Sequence, residues 1–362
     1  MNKERNSQLK IRENLQWINC AKAIAIIAVL VDHSMGILYT DYRIQAATDW
    51  DVAVFILVSG ITSYMSNSRS NLKWGKAYLK SVKKILEAYL ICSAICLVIK
   101  THGFDLKTYI YQLVHFIAAF PLYFVALYLQ LMLASRPIFN LLQKCPRNGK
   151  GYMQEGILLC VISGIASLTT NHTQILDIYY GGGKVLGGTN LIIFYLGMLM
   201  AKHEWFVKES RIKSVLIWVF SSIGWLLWWK NIFLIRNVID RKMIWFGSGY
   251  DIPNVAIGGF SILTLLVVYA TCKILEMSDA TKKIIIMFSW LGEHTLYIFM
   301  LHATILYFCI MPYLIIENIW LKRIVYMVLM IIVPLMVEYA INVLIKKMIM
   351  LVQRVKNQQK KS

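Results

Sequence analysis

Apolar and polar positions alternate along this chain in long blocks rather than residue by residue. Ten blocks are dominated by Leu, Ile, Val, Met, Ala and aromatic residues, near 18–38, 50–66, 84–100, 119–139, 156–171, 188–202, 213–230, 254–276, 284–310 and 323–350. A helix needs about 20 mostly apolar residues to cross the hydrocarbon core of a bilayer. The pattern therefore predicts an all-α fold, a polytopic membrane protein with about ten transmembrane helices. The fifth and sixth blocks are short, as expected of segments that tilt, re-enter or lie buried against neighbouring helices.

Composition agrees: 58% of the 362 residues are hydrophobic and 16% charged, which excludes an ordinary soluble domain. The formal charge of +19 would suit a nucleic-acid binder, but the cations fall in short clusters between apolar blocks, so no nucleic-acid partner is expected. With a cytoplasmic N-terminus, the inner segments hold 27 of the Lys and Arg residues and the outer loops 10. This positive-inside bias predicts both termini in the cytoplasm of a multi-pass protein of the cell membrane.

The expected organisation is a cytoplasmic N-terminal segment (1–17), one membrane domain (18–350) and a basic tail (351–362). The basic start followed by an apolar run lacks a small-residue cleavage site and reads as an uncleaved anchor. The loops are too short to fold alone. Seven cysteines without CxxC or mixed His/Cys spacing read as packing residues, and no metal site is expected.

Ionisable residues inside an apolar block demand a reason, because each is costly in hydrocarbon. The first block carries Lys22, Asp32 and His33. Eleven residues separate Lys22 from His33, which returns the side chains to one helical face about 16 Å apart, with Asn19 beside Lys22. A neutral imidazole there can serve as a general base, a metal ligand or a structural hydrogen-bonding group. Asp32 falls off that face. Ser59-Gly60 in the second block reads as a close helix contact, and Asp49 and Asp51 read as carboxylates at a helix start.

The stretch Asn67 to Tyr89 is strongly basic, with Lys76, Lys80 and Lys84 on one face and Lys83 adjacent. It suits either anionic lipid headgroups or a phosphate cradle for an anionic cytosolic donor. In "SWLGEHTLYIFMLH", His294 and His302 stand about 12 Å apart along a helix, too far for one metal. His302 falls level with His33, so the two can converge. The glycine-rich "YYGGGKVLGGTN" lacks phosphate-loop spacing and reads as a loop. Tyr179, Tyr180, Trp245, Tyr250 and Asp251 on the outer side suit stacking on a sugar or anchoring at the interface. Glu338 in the last block has no evident partner.

The ordered set "WINCAKAIAIIAVLVDHS", "FILVSGI", "YLKSVKKIL", "FPLYFVALYLQLML" and "WLGEHTLYIFMLH" resembles the acyltransferase-3 family of integral membrane O-acyltransferases, over nearly the whole chain. The resemblance implies transfer of an acyl group, usually acetyl, from cytosolic acyl-coenzyme A to a hydroxyl of a cell-surface glycan or related carbohydrate. No permanently bound cofactor is implied; acyl-coenzyme A is a co-substrate. It implies catalytic roles for His33 and His302, acyl-donor binding by Lys22, Lys80, Lys83 and Lys84, and supporting roles for Asn19, Ser59, Gly60 and His294. Where the family commonly has Asp three residues before the basic residue, this chain has Asn19, and lysines replace the family's cytoplasmic arginines. The form resembled is the stand-alone one, acting by itself or with a separate extracytoplasmic partner.

Two readings from other classes compete. A transporter or flippase would use the Lys22-to-His33 seam as a proton or solute path. A sensing component of an envelope complex would bind without turnover.

Overall fold

The computed structural model describes residues 2–70, 72–171, 190–206, 210–235 and 255–359, and among them helices form and strands do not. In chain order these are α1 (Asn2–His33), α2 (Tyr42–Thr48), α3 (Asp51–Ser68), α4 (Trp74–Thr101), α5 (Leu106–His115), α6 (Tyr123–Lys144) and α7 (Gly149–Asn171). They continue as α8 (Asn190–Lys202), α9 (Arg211–Lys230), the single turn α10 (Ile232–Ile235), α11 (Val255–Leu275), α12 (Asp279–Glu293), α13 (Thr295–Thr304) and α14 (Ile319–Gln359). Tyr179, Tyr180, Trp245, Tyr250, Asp251 and most of the glycine-rich segment lie outside the described residues.

Each of the ten apolar blocks falls on a helix. Among the described residues, five helices are long and apolar enough to cross a membrane: α2 with α3, α6, α9, α11 and α14. A sixth is reached if α12 and α13 form one broken span. The helix α8 has only 13 residues, while α1 and α4 mix apolar turns with lysines and other charges. Both α1 and α14 run unbroken through the expected boundaries at 17 and 350.

Two blocks differ from their expected outline. The first ends at His33 rather than near 38, because the chain turns: Ser34 N–H donates to Val31 O and Leu38 N–H to Ser34 O, with Gly36 at φ 79°. That positive φ is open to glycine at little cost. The block at 284–310 bends by 64° between α12 and α13. There His294 leaves helical geometry (φ −106°, ψ 10°), and its Nδ1 lies 3.0 Å from Glu338 Oε2 on α14. The bend and this contact between α12–α13 and α14 thus fall at the same residue. Beyond α13 the chain continues as a π-helical turn, Ile305–Ile310.

Two glycine crossings set the core. A Cβ on Gly60 of α3 would lie 2.1 Å from Phe194 O, and one on Gly197 of α8 would lie 2.1 Å from Leu57 O. Only backbone fits there, so α3 and α8 approach along a seam of small residues. The second crossing joins α1 to α12: a Cβ on Gly292 would lie 1.8 Å from Asn19 O. This contact sets the height of α12 against α1, and the bend just after it redirects α13 toward the end of α1.

Candidate active site

His33 closes the last turn of α1, and His302 lies on α13 with no exposed surface. Their rings lie end to end and nearly coplanar, with centroids 4.9 Å apart and planes 18° off parallel. His33 Nδ1 is 2.6 Å from His302 Nε2. On its far side His302 Nδ1 faces two backbone oxygens of its own helix, Ile298 O at 3.0 Å and Phe299 O at 2.9 Å. Carbonyls only accept, so Nδ1 of His302 carries the proton and Nε2 of the neutral ring accepts. His33 Nδ1–H is then the donor between the rings, and the lone pair of His33 resides on Nε2. The network assigns the tautomers of both rings.

The surroundings hold this chain of bonds in place. Phe299, one turn below His302, packs on Phe124 and Phe55 at centroid distances of 4.9 and 6.1 Å. Thr304 and Cys96 of α4 meet at 3.1 Å, and Tyr307 in the π-helical turn donates to His33 O at 3.3 Å. The imidazole pair thus sits where α1 and α13 meet beside α4, with His302 fully buried and His33 partly exposed, and burial on the His302 side strengthens the hydrogen bonds that hold it.

The other end of the α1 seam is open. A cavity of about 440 Å³ is lined by Ile18, Asn19 and Lys22 of α1, by Thr62, Met65 and Ser66 of α3, by Arg69 and Ser70 after it, and by Lys80 of α4. Three cations therefore face one volume. Arg136 of α6 fixes the loop that carries Arg69, its Nη1 donating to Asn67 O at 3.0 Å and Ser70 O at 3.1 Å. Asn19 Nδ2 donates to Glu293 Oε1 at 3.2 Å, and the Glu293 carboxylate acts on Lys22 from outside the cavity.

Residues 15–340 match the model of the acyltransferase-3 family, described as an acyltransferase domain. The chain belongs to the acyltransferase-3 family. No curated protein and no solved structure matches it. It is a membrane acyltransferase, and its candidate residues take the following places.

The structure brings His33 and His302 into contact and puts Lys22 and Lys80 on one cavity. Lys84 is near enough to repel Lys22. Lys83 turns outward and pairs with Glu87 at 3.7 Å, with its side chain 75% exposed, which sets it apart from the cavity. Ser59 bonds within its helix to Phe55 O at 2.7 Å, and its neighbour Gly60 forms the α8 crossing. His294 stands at the bend and supplies the partner for Glu338 that sequence reasoning lacked. Asp51 stands in the first turn of α3, as expected of a carboxylate at a helix start, and is buried there.

Sequence reasoning missed Arg69 as a lining residue of the cavity and Glu293 as the partner of Asn19 beside it. Arg69 was legible as part of the basic stretch. Glu293 had no signal, because its link to Asn19 spans 274 positions.

Proposed function

We propose that this acyltransferase moves an acyl group, acetyl in the leading case, from cytosolic acyl-coenzyme A to a hydroxyl of a cell-surface glycan or related carbohydrate. In this reading the chain is a multi-pass protein of the cell membrane with ten spans and both termini in the cytoplasm. The cationic cavity at Lys22, Arg69 and Lys80 takes the phosphates of the donor, and the extended pantetheine arm reaches along α1 toward the imidazole pair. The observation that carries the proposal is that one continuous helix has an anion-suited cavity near Lys22 and an oriented imidazole at His33. About 16 Å of helix axis separates the two.

His33 Nε2 accepts the proton of the acceptor hydroxyl as its oxygen attacks the thioester carbonyl. The tetrahedral intermediate collapses, the C–S bond breaks, and the imidazolium returns the proton to the departing thiolate. His302 positions this base: its Nε2 holds Nδ1–H of His33, and the growing charge on the His33 ring strengthens that bond.

Full-length protein in nanodiscs, given labelled acetyl-coenzyme A and surface-polymer acceptors, tests the reading. Thioester cleavage and labelled product that disappear in His33→Ala support it. Retained transfer in that variant, or binding without turnover in the wild type, refutes it and favours transport or sensing. Mass spectrometry of surface polymers with and without the protein would then name the acceptor.

A further inference from the structure

At the end of the molecule opposite the cationic cavity, the turn Ser34–Tyr39 that follows His33 is held by one side chain from α14. Arg323 Nε donates to Leu38 O at 2.9 Å. Its guanidinium carbon lies 4.9 Å from the ring of Tyr39 and 4.7 Å from that of Trp320. Leu38 N–H in turn bonds Ser34 O at 2.9 Å, so the anchored carbonyl sits one tight turn from the catalytic imidazole.

Arg323 is a cation whose contacts are a carbonyl and two ring faces; it makes no ion pair among the described residues. With Nε occupied and two aromatic rings against it, its terminal nitrogens form the edge that grips a carboxylate or phosphate with two parallel bonds. Of the acidic groups toward this end, Asp41 accepts from Arg43 N–H at 2.8 Å and Asp51 from Val52 N–H at 2.5 Å. A second cation near this end, Lys100 of α4, also binds a backbone carbonyl, that of Ala118, and faces the ring of Phe308 at 5.6 Å. Asn318 caps the start of α14, accepting from Trp320 N–H at 3.0 Å and Leu321 N–H at 3.1 Å, which fixes the turn that presents Arg323.

We propose that Arg323 binds an anionic group of the acceptor, so that the glycan acylated is an acidic one bearing carboxylate or phosphate. This rests on the acyl-transfer reading for the identity of the neighbouring site. The guanidinium edge aligns the acceptor, and the hydroxyl one sugar unit away is delivered to His33. Arginine is required because lysine supplies the charge without the fork.

The test is equilibrium binding to the full chain in phosphatidylcholine nanodiscs, with three fluorescent probes: trigalacturonate, its neutral methyl ester, and a glycerol-phosphate oligomer. The wild type is expected to bind one or both acidic probes at least about tenfold more tightly than the ester, as two charge-assisted bonds allow. Arg323→Ala should erase that preference, and Arg323→Lys should keep a weaker, more salt-sensitive part of it. Which acidic probe is preferred separates carboxylate from phosphate. Equal binding of acidic and neutral probes, no binding of any, or an undiminished preference in Arg323→Ala overturns the proposal. A parallel set in phosphatidylglycerol nanodiscs guards against a membrane anchor. If Arg323→Ala alters only the stability difference between the two lipids, the residue serves headgroups and the proposal fails. His33→Ala should keep the acid preference while losing cleavage of acetyl-coenzyme A. Failure of wild-type cleavage would instead strike the acyl-transfer reading and leave the binding result to be judged separately.

Discussion

The two ends of α1 solve different problems with different means. At Lys22 three cations converge on an open volume from α1, the α3–α4 loop and α4. Here what matters is net charge, and each cation acts through space on any anion in the cavity. At His33 two rings are locked nitrogen to nitrogen, and the buried one, His302, is pinned by backbone oxygens of α13. There a displacement of an ångström would break the proton path. The contrast is between charge that acts at a distance, for which one cation can stand in for another, and a hydrogen-bonded pair that works in a single geometry.

The largest expected effect is at the imidazole end. His33→Ala should lower kcat by about 10² to 10⁴-fold, the usual range for a general base. His302→Ala should cost a similar factor, and the double variant little more than either single one, since the pair acts as a unit. Additive losses in steady-state kinetics would show that the rings work independently and would break the comparison.

Next come the cavity cations. Lys22→Ala and Arg69→Ala should each raise KM for acyl-coenzyme A by about tenfold, in keeping with loss of a charge-assisted contact. The remaining affinity should depend less on salt. Changes in kcat with unaltered KM would place these residues in the chemistry and blur the distinction between the ends.

The crossing that links the ends should respond in stability. Gly292→Ala puts a methyl into Asn19 O, and overpacking of this kind costs about 1–3 kcal/mol. Thermal unfolding in detergent should detect it, with losses at both ends because α1 and α12 shift together. Glu338→Gln should act more weakly. It removes the charge that His294 meets at the bend, so kcat should fall severalfold while donor KM stays constant.

The smallest effect serves as a control away from both ends. Asp105 caps α5 by accepting from Thr108 N–H at 2.8 Å, and the bonds from Thr108 hold its carboxyl below the usual range. A depressed carboxyl stabilises above its unfolded pKa, and that contribution is lost as pH falls through the folded value. Asp105→Ala should therefore speed hydrogen exchange over 106–110 at neutral pH, with no change in transfer. The difference from wild type should vanish in acid.

Much of the fold was legible because hydrocarbon imposes a simple rule. Ten apolar blocks became helices, and the eleven-residue step from Lys22 to His33 survives because α1 is continuous. The levelling of His302 with His33 was also legible, from counting residues outward. What escaped was anything decided by two distant helices. The bend at His294 coincides with its contact to Glu338, 44 positions away, which no local pattern announces. The replacement of an expected acid at position 19 by an amide makes sense once Glu293 is seen to receive its hydrogen bond.

The sequence by itself determined which segments are apolar and helical, which face of α1 is polar, and which residue types are available for acyl transfer. Burial and helical periodicity are local properties, readable from composition and spacing. Only the tertiary structure decided which nitrogen of His33 bears the lone pair, since that depends on His302, and His302 on two carbonyls behind it. It alone gathered Arg69 with Lys22 and Lys80, and set Arg323 beside the turn after His33. Hydrogen-bond direction and charge convergence depend on distances between helices, and the close crossing at Asn19 and Gly292 is one of the contacts that set those distances.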